Sequence, residues 1–156
     1  MDLKELRLSK KLTQAQAALK MGISLRSYKQ YENDKKKINT IKYNYMIREL
    51  EKVGYIDEEH GILNIEIIKS KTANIFKKHE VEYCILFGSY ANGTATEKSD
   101  VDLLVASNVT GMDFYGMAEE LREALQKKVD LLNLEQLYNN QDLLNNILKD
   151  GIKIYG

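Results

Sequence analysis

Tyr83-Cys84-Ile85-Leu86-Phe87 runs without a break into Gly88-Ser89, and after ten intervening residues Asp100-Val101-Asp102 opens a second apolar run, Leu103-Leu104-Val105. No other feature of the chain constrains its fold as tightly. Each run has the length and composition of a short buried strand. Glycine followed by serine marks a small-residue turn at which backbone N–H groups can approach an anion closely. Alternate side chains of a strand share a face, so Asp100 and Asp102 are expected to point the same way, their Cα atoms roughly 6.6 to 6.8 Å apart. Lys128-Val129-Asp130-Leu131-Leu132 is a third run of this kind, and it carries a further carboxylate that belongs on a neighbouring strand.

These residue types suit one chemistry. Mg²⁺ takes oxygen ligands and keeps substrate phosphates in its coordination shell, so Asp100 and Asp102 can hold one ion, or a pair about 3.5 to 4 Å apart, against a triphosphate cradled by Gly88 and Ser89. Phosphoryl-type transfer then needs mainly positioning and charge neutralisation. Asp130 is assigned to activating the acceptor. It either takes the proton of an attacking hydroxyl or completes the coordination that lowers that hydroxyl's pKa. Taken singly, Asp-x-Asp also fits a solvated strand end and Asp130 a turn acid; the strand context of all three favours the metal reading.

Leu86-Phe87-Gly88-Ser89-Tyr90-Ala91-Asn92-Gly93 through Ser99-Asp100-Val101-Asp102-Leu103-Leu104-Val105 closely resembles the minimal nucleotidyltransferases of the DNA polymerase beta superfamily, and Lys127-Lys128-Val129-Asp130-Leu131 extends the match. The resemblance covers roughly residues 63 to 156. It implies ATP as substrate, Mg²⁺ as cofactor, and transfer of AMP onto a tyrosine of a HEPN-type RNase toxin that the protein serves as antitoxin. It also implies that Gly88 and Ser89 hold the triphosphate, that Asp100 and Asp102 bind metal and that Asp130 is the third acid. Many relatives carry a basic residue where this chain has Asn92, and Lys98 is the candidate to replace that phosphate contact.

Composition divides the chain. Residues 1 to 53 carry 13 lysines and arginines against 6 acids, a net +7, and residues 54 to 156 carry 10 against 17, a net −7, so the overall charge of zero conceals a basic head. Such asymmetry predicts a nucleic-acid surface at the N-terminus beside a domain with other duties. The lone Cys84 can form no internal disulfide and reads as a small buried hydrophobe. His60 and His79 stand apart, without zinc spacing. No run of 18 apolar residues and no signal-peptide pattern is present, which predicts a cytosolic protein without a membrane span.

Within the head, Leu3, Leu6 and Arg7 begin a helical pattern. Thr13 is placed to cap Gln14 to Lys20, Gly22 breaks that helix, and Ser24 is placed to cap Leu25 to Glu32. Leu12-Thr13-Gln14-Ala15-Gln16-Ala17-Ala18-Leu19-Lys20-Met21-Gly22-Ile23-Ser24 with Tyr28-Lys29-Gln30-Tyr31-Glu32-Asn33 resembles the lambda-repressor (Xre) helix-turn-helix, with Asp34 where a glycine is usual. In that geometry the second helix of the pair enters the major groove of operator DNA. Arg26, Ser27, Lys29 and Gln30 are then the groove-facing candidates, and Gln14 a phosphate contact. Leu25, Tyr28 and Tyr31 follow inward spacing, and Lys35-Lys36-Lys37 adds sequence-independent attraction. Palindromic half-sites suggest a homodimer.

The remaining pattern predicts helices over 38–53 (Ile41, Tyr45, Leu50 and Val53 inward), 62–79, 112–126 and 141–149, alternating with three strands. The expected fold class is α+β, with an N-terminal all-α helix-turn-helix domain over 1–56 and a small polymerase-beta-like nucleotidyltransferase domain over 62–156, built on a mixed sheet with flanking helices. Three functions fit. The preferred one is an antitoxin that adenylylates its partner and represses its own operon. The others are a small-molecule (antibiotic) nucleotidyltransferase and a non-catalytic DNA-binding regulator that neutralises a partner by binding it. About 95 residues leave little chain to enclose a drug-sized acceptor, and three clustered aspartates would repel one another without a cation.

Overall fold

Four side-chain caps fix the helices of the N-terminal unit. Asp2 and Glu5 form a reciprocal capping box on α1 (Leu3–Ser9), and Thr13 and Gln16 form another on α2 (Gln14–Lys20). The Ser24 and Thr40 hydroxyls accept from Ser27 N and Tyr43 N at the starts of α3 (Leu25–Asn33) and α4 (Ile41–Lys52). Each cap satisfies a backbone donor that an α-helix leaves unpaired, which is why short helices with poor intrinsic stability start where they do. In the computed structural model, which describes residues 1–156, this unit spans Met1–Tyr55 and a second spans Ile56–Gly156.

Leu3, Ala17, Ala18, Tyr28, Met46 and Leu50 make the centre of the first core. Beside it lies a buried ion pair. Arg7 donates through Nε and Nη2 to both oxygens of Glu32, at 2.9 and 2.8 Å, and through Nη1 to the Leu12 carbonyl at 2.8 Å. The inward face of α4 differs from the expected one. Tyr43, Met46 and Leu50 are buried, whereas Ile41 is 92% and Tyr45 50% exposed. The expected set mixed two arcs, because Leu50 lies nine residues after Ile41, two and a half helical turns on and so on the opposite side of the helix. The helix also begins later than the pattern suggested: Asp34 caps a 3₁₀ turn over Lys35–Lys37 and Asn39 adopts φ +65°, so regular helix resumes only after Thr40. In α3, Tyr28 is fully buried, Tyr31 half-buried and Leu25 39% exposed.

The second unit follows the order α5 (Ile65–Lys78), β1 (Tyr83–Phe87), a single turn α6 (Ser89–Asn92), β2 (Val101–Ala106), α7 (Gly111–Leu125), β3 (Val129–Asn133), α8 (Gln141–Asp150) and β4 (Ile152–Tyr155). The sheet runs β3-β2-β1-β4. β1 is antiparallel to both β2 and β4, and β2 is parallel to β3 through the α7 crossover, so the sheet is mixed. β4 is a strand beyond the three expected. Its Ile-Lys-Ile-Tyr alternation is only four residues long, and its partner, the free edge of β1, is visible only in three dimensions.

Strand parity gives the sheet two different faces. Cys84, Leu86, Leu103 and Val105 join Ile68 and Phe76 of α5 and Met117 and Leu121 of α7 in the main core. On the opposite face Phe87 and Leu104 pack with Leu137 and with Ile147 of α8. Asp102 shares parity with Leu104 and Asp130 with Leu132, which puts both acids on this second face, beyond the stretch that α8 covers.

The acidic segment 57–61, which lies between the two expected domains, is bonded into the second unit. Glu58 pairs with Arg122, Gly61 N donates to Glu97 Oε1 at 3.3 Å, and Lys127 Nζ donates to the His60 carbonyl at 3.1 Å.

Candidate active site

β1 ends at Phe87, directly opposite Asp102 on β2, so the turn after β1 emerges beside the carboxylate. Gly88 adopts φ +70° and ψ −151°, a backbone conformation that side chains of L-residues rarely tolerate. A β-carbon there would land on the Asp102 carboxylate, 3.0 Å from its Cγ. The glycine therefore lets the chain reverse sharply, and it leaves room for the acid to lie against the turn. Ala91 N and Asn92 N both donate back to the Gly88 carbonyl at 3.1 Å, closing the turn that holds Ser89.

Asp102 and Asp130 are in register on neighbouring parallel strands, which sets their Cα atoms about 4.8 Å apart. Asp100 stands one residue before β2. Its neighbour Val101 donates its N–H to the Lys128 carbonyl at 2.9 Å, joining the end of the loop that carries Asp100 to the base of β3. Burial, with the charges of Asp130 and Asp100, pushes the Asp102 carboxyl up to about 6. The site is thus an acidic cluster in which one member resists ionisation, the condition that a cation relieves.

The donor set fits Mg²⁺. No three His, Cys, Asp or Glu side chains converge into a preformed cage, and Mg²⁺ characteristically uses one or two carboxylates, waters and substrate phosphates instead of an all-protein cage. Asp100 and Asp102 would hold it, with Asp130 alongside. Lys98 is exposed on the same loop. Asn92 Oδ1 accepts from Thr94 N at 3.1 Å, so that side chain is engaged in its own turn.

A polymerase beta nucleotidyltransferase family model matches residues 70–156. The chain belongs to this nucleotidyltransferase family. A helix-turn-helix family model matches residues 3–42. Two relatives come from Methanocaldococcus jannaschii, both named by inference as protein adenylyltransferases. One is 38% identical over 92 residues, covering 58% of this chain and 91% of the relative. The other is 33% identical over 108 residues, covering 64% of this chain and all of the relative. A crystal structure of a toxin-antitoxin with AMP-PNP contains a chain of the same fold, with TM-score 0.50 and 25% identity over 56% of this chain and 73% of that one. The nucleotidyltransferase is thus an enzyme of α+β class preceded by a helix-turn-helix, and no helix is long and apolar enough to cross a membrane.

In the helix-turn-helix unit, Arg26, Lys29 and Gln30 are exposed and line an open cleft with Asn33, Asp34 and Lys37. Ser27 Oγ accepts from Lys42 Nζ at 3.4 Å. Gln14 is turned partly inward, its Nε2 donating to Glu32 Oε1 at 3.3 Å. Lys37 and Lys42 lie over the Tyr31 ring, 4.4 and 5.0 Å from its centre. Lys37 belongs to the lysine run singled out in the sequence, whereas Lys42 carried no sequence signal. Lys127, which the sequence offered only as part of the family match, is fully buried in the fold. Gln126 ends α7 in a left-handed conformation immediately before it, which nothing in the local sequence announces.

Proposed function

We propose that this nucleotidyltransferase transfers AMP from ATP to a tyrosine hydroxyl of a HEPN-type toxin, acting as its antitoxin, while the helix-turn-helix unit binds operator DNA. The proposed division of labour assigns DNA binding to residues 1–56, as a homodimer in the cytoplasm, and catalysis to 62–156. One observation carries the reading: Asp102 and Asp130 in register, with Asp100 one residue ahead of β2, beside a turn whose Gly88 leaves no room for a β-carbon against the Asp102 carboxylate. The adenylyltransferase names of the relatives and the AMP-PNP-bound toxin-antitoxin structure support the choice of nucleotide and partner.

In this reaction the acceptor oxygen attacks the α-phosphorus of ATP. A new P–O bond forms as the bond to the bridging oxygen breaks, and diphosphate leaves. Asp130, exposed at the start of β3, takes the acceptor's proton or orients its hydroxyl. Gly88 and Ser89 bind the triphosphate and Lys98 offsets its charge. Mg²⁺, when bound, supplies charge neutralisation of the phosphates. The exposed acid face leaves room for an acceptor carried on a folded partner.

The test is intact-protein mass spectrometry after mixing the chain with Mg²⁺, ATP and the product of the adjacent gene. Adenylyl groups should appear on the partner with the wild type and be absent with Asp100→Asn. An unmodified partner that still binds tightly would replace this reading with neutralisation by complex formation. For the DNA-binding half, Lys29→Ala should weaken operator binding and lower the salt slope by about one.

A further inference from the structure

We propose that Lys127 is a positioning residue for the metal-binding carboxylates, its buried ammonium fastening the loop that delivers Asp100 to the strand that delivers Asp130. The inference rests on the metal-dependent reading of the site.

Lys127 is fully buried, and a buried lysine is ordinarily paired with a carboxylate. Here both of its hydrogen-bond acceptors are backbone carbonyls from distant parts of the chain. Nζ donates to Glu97 O at 2.6 Å and to His60 O at 3.1 Å. Because the ammonium bonds to main chain, it fixes the path of the two segments and leaves their side chains free. Glu97 lies three residues before Asp100. It lies inside a turn closed by Thr96 N donating to Ser99 Oγ at 2.8 Å and Ser99 N donating to Thr96 O at 3.1 Å. On the other side of Asp100, Val101 N donates to Lys128 O at 2.9 Å. The Lys127-Lys128 pair thus grips the chain both before and after Asp100.

That grip bears on metal binding because Asp100 lies outside β2 and receives no support from the strand ladder. The surrounding loop residues Asn92, Gly93, Thr94, Thr96, Glu97 and Lys98 are exposed. A ligand to a hard cation must be held within about 0.5 Å of its productive place by groups that are themselves fixed. Lys127 is the buried group that provides this from beneath the loop, and the same side chain sits two residues before β3 and three before Asp130.

The experiment titrates Mn²⁺ into the full chain with ATP, read by electron paramagnetic resonance, for wild type, Lys127→Met and Lys127→Gln. Methionine keeps the unbranched apolar stem and removes every donor; glutamine retains a donor. Lys127→Met should bind Mn²⁺ about 10-fold or more weakly, in the range seen when a supporting group behind a ligand is lost, with Lys127→Gln intermediate. In the transfer assay the Mg²⁺ concentration giving half-maximal rate should rise by a similar factor, and kcat at saturating Mg²⁺ should fall much less. Folded variants with wild-type Mn²⁺ affinity would overturn the inference. So would loss of the fold in both variants, which would make Lys127 a determinant of the whole unit. Wild type that binds no Mn²⁺ would instead refute the metal-dependent reading itself.

Discussion

Replacing Asp102 by Asn should abolish nucleotidyl transfer and yet stabilise the metal-free protein. The Asp102 carboxyl titrates at about 6, against an ordinary value of 3.8, because burial and then Asp130 and Asp100 disfavour its charge. Between about pH 4 and 6 the folded protein therefore keeps a proton that the unfolded chain has released, so stability falls as pH rises through that window. At pH 7 the full difference corresponds to roughly 3 kcal/mol as an upper bound. Asp102 is partly open to solvent, and screening reduces the figure to about 1 to 2 kcal/mol. Asparagine is neutral at every pH and escapes this penalty. In urea titrations with EDTA, followed by circular dichroism, Asp102→Asn should exceed wild type by about 1 to 2 kcal/mol at pH 7 and by a few tenths at pH 4. Mg²⁺ with ATP should close the gap by stabilising the wild type alone. A variant less stable than wild type at pH 7, or an advantage that does not shrink in acid, would refute this account of the site's electrostatics.

Gly88→Ala should lose transfer activity and about 1 to 3 kcal/mol of stability from the strained backbone, together with the displacement of the Asp102 carboxylate; a variant with wild-type kcat and melting temperature would show that the turn tolerates a side chain. In the first unit, burial pushes the Glu32 carboxyl up, but hydrogen bonds from Arg7 and Gln14, the Tyr28 hydroxyl and the charge of Arg7 together outweigh that and hold it below the ordinary value. Glu32→Gln strands Arg7 and should lose about 3 to 5 kcal/mol, enough to unfold much of a unit whose whole stability is of order 3 to 8 kcal/mol. Operator binding should vanish with it while AMP transfer by the second unit persists. Retained helicity and DNA affinity would show that the ion pair is dispensable.

The sequence by itself determined the parts whose physics is local. Caps at Thr13 and Ser24 placed α2 and α3, because a hydroxyl at a helix start needs only the next few residues to act. The apolar runs at Tyr83–Phe87 and Val101–Ala106 declared strands because a short, nearly continuous apolar stretch bounded by turn residues suits a buried strand. Only the tertiary structure decided what depends on distant partners. The register of Asp102 against Asp130 is set by the α7 crossover. β4 exists because β1 offers it an edge. The choice of Tyr43 and Met46 over Ile41 and Tyr45 as the inward face of α4 follows from where Leu3 and Tyr28 lie. Lys127 is the sharpest case. An ammonium is hydrated in any local reading, and it is buried here because the carbonyls of Glu97 and His60, 30 and 67 residues away in sequence, converge to replace its water.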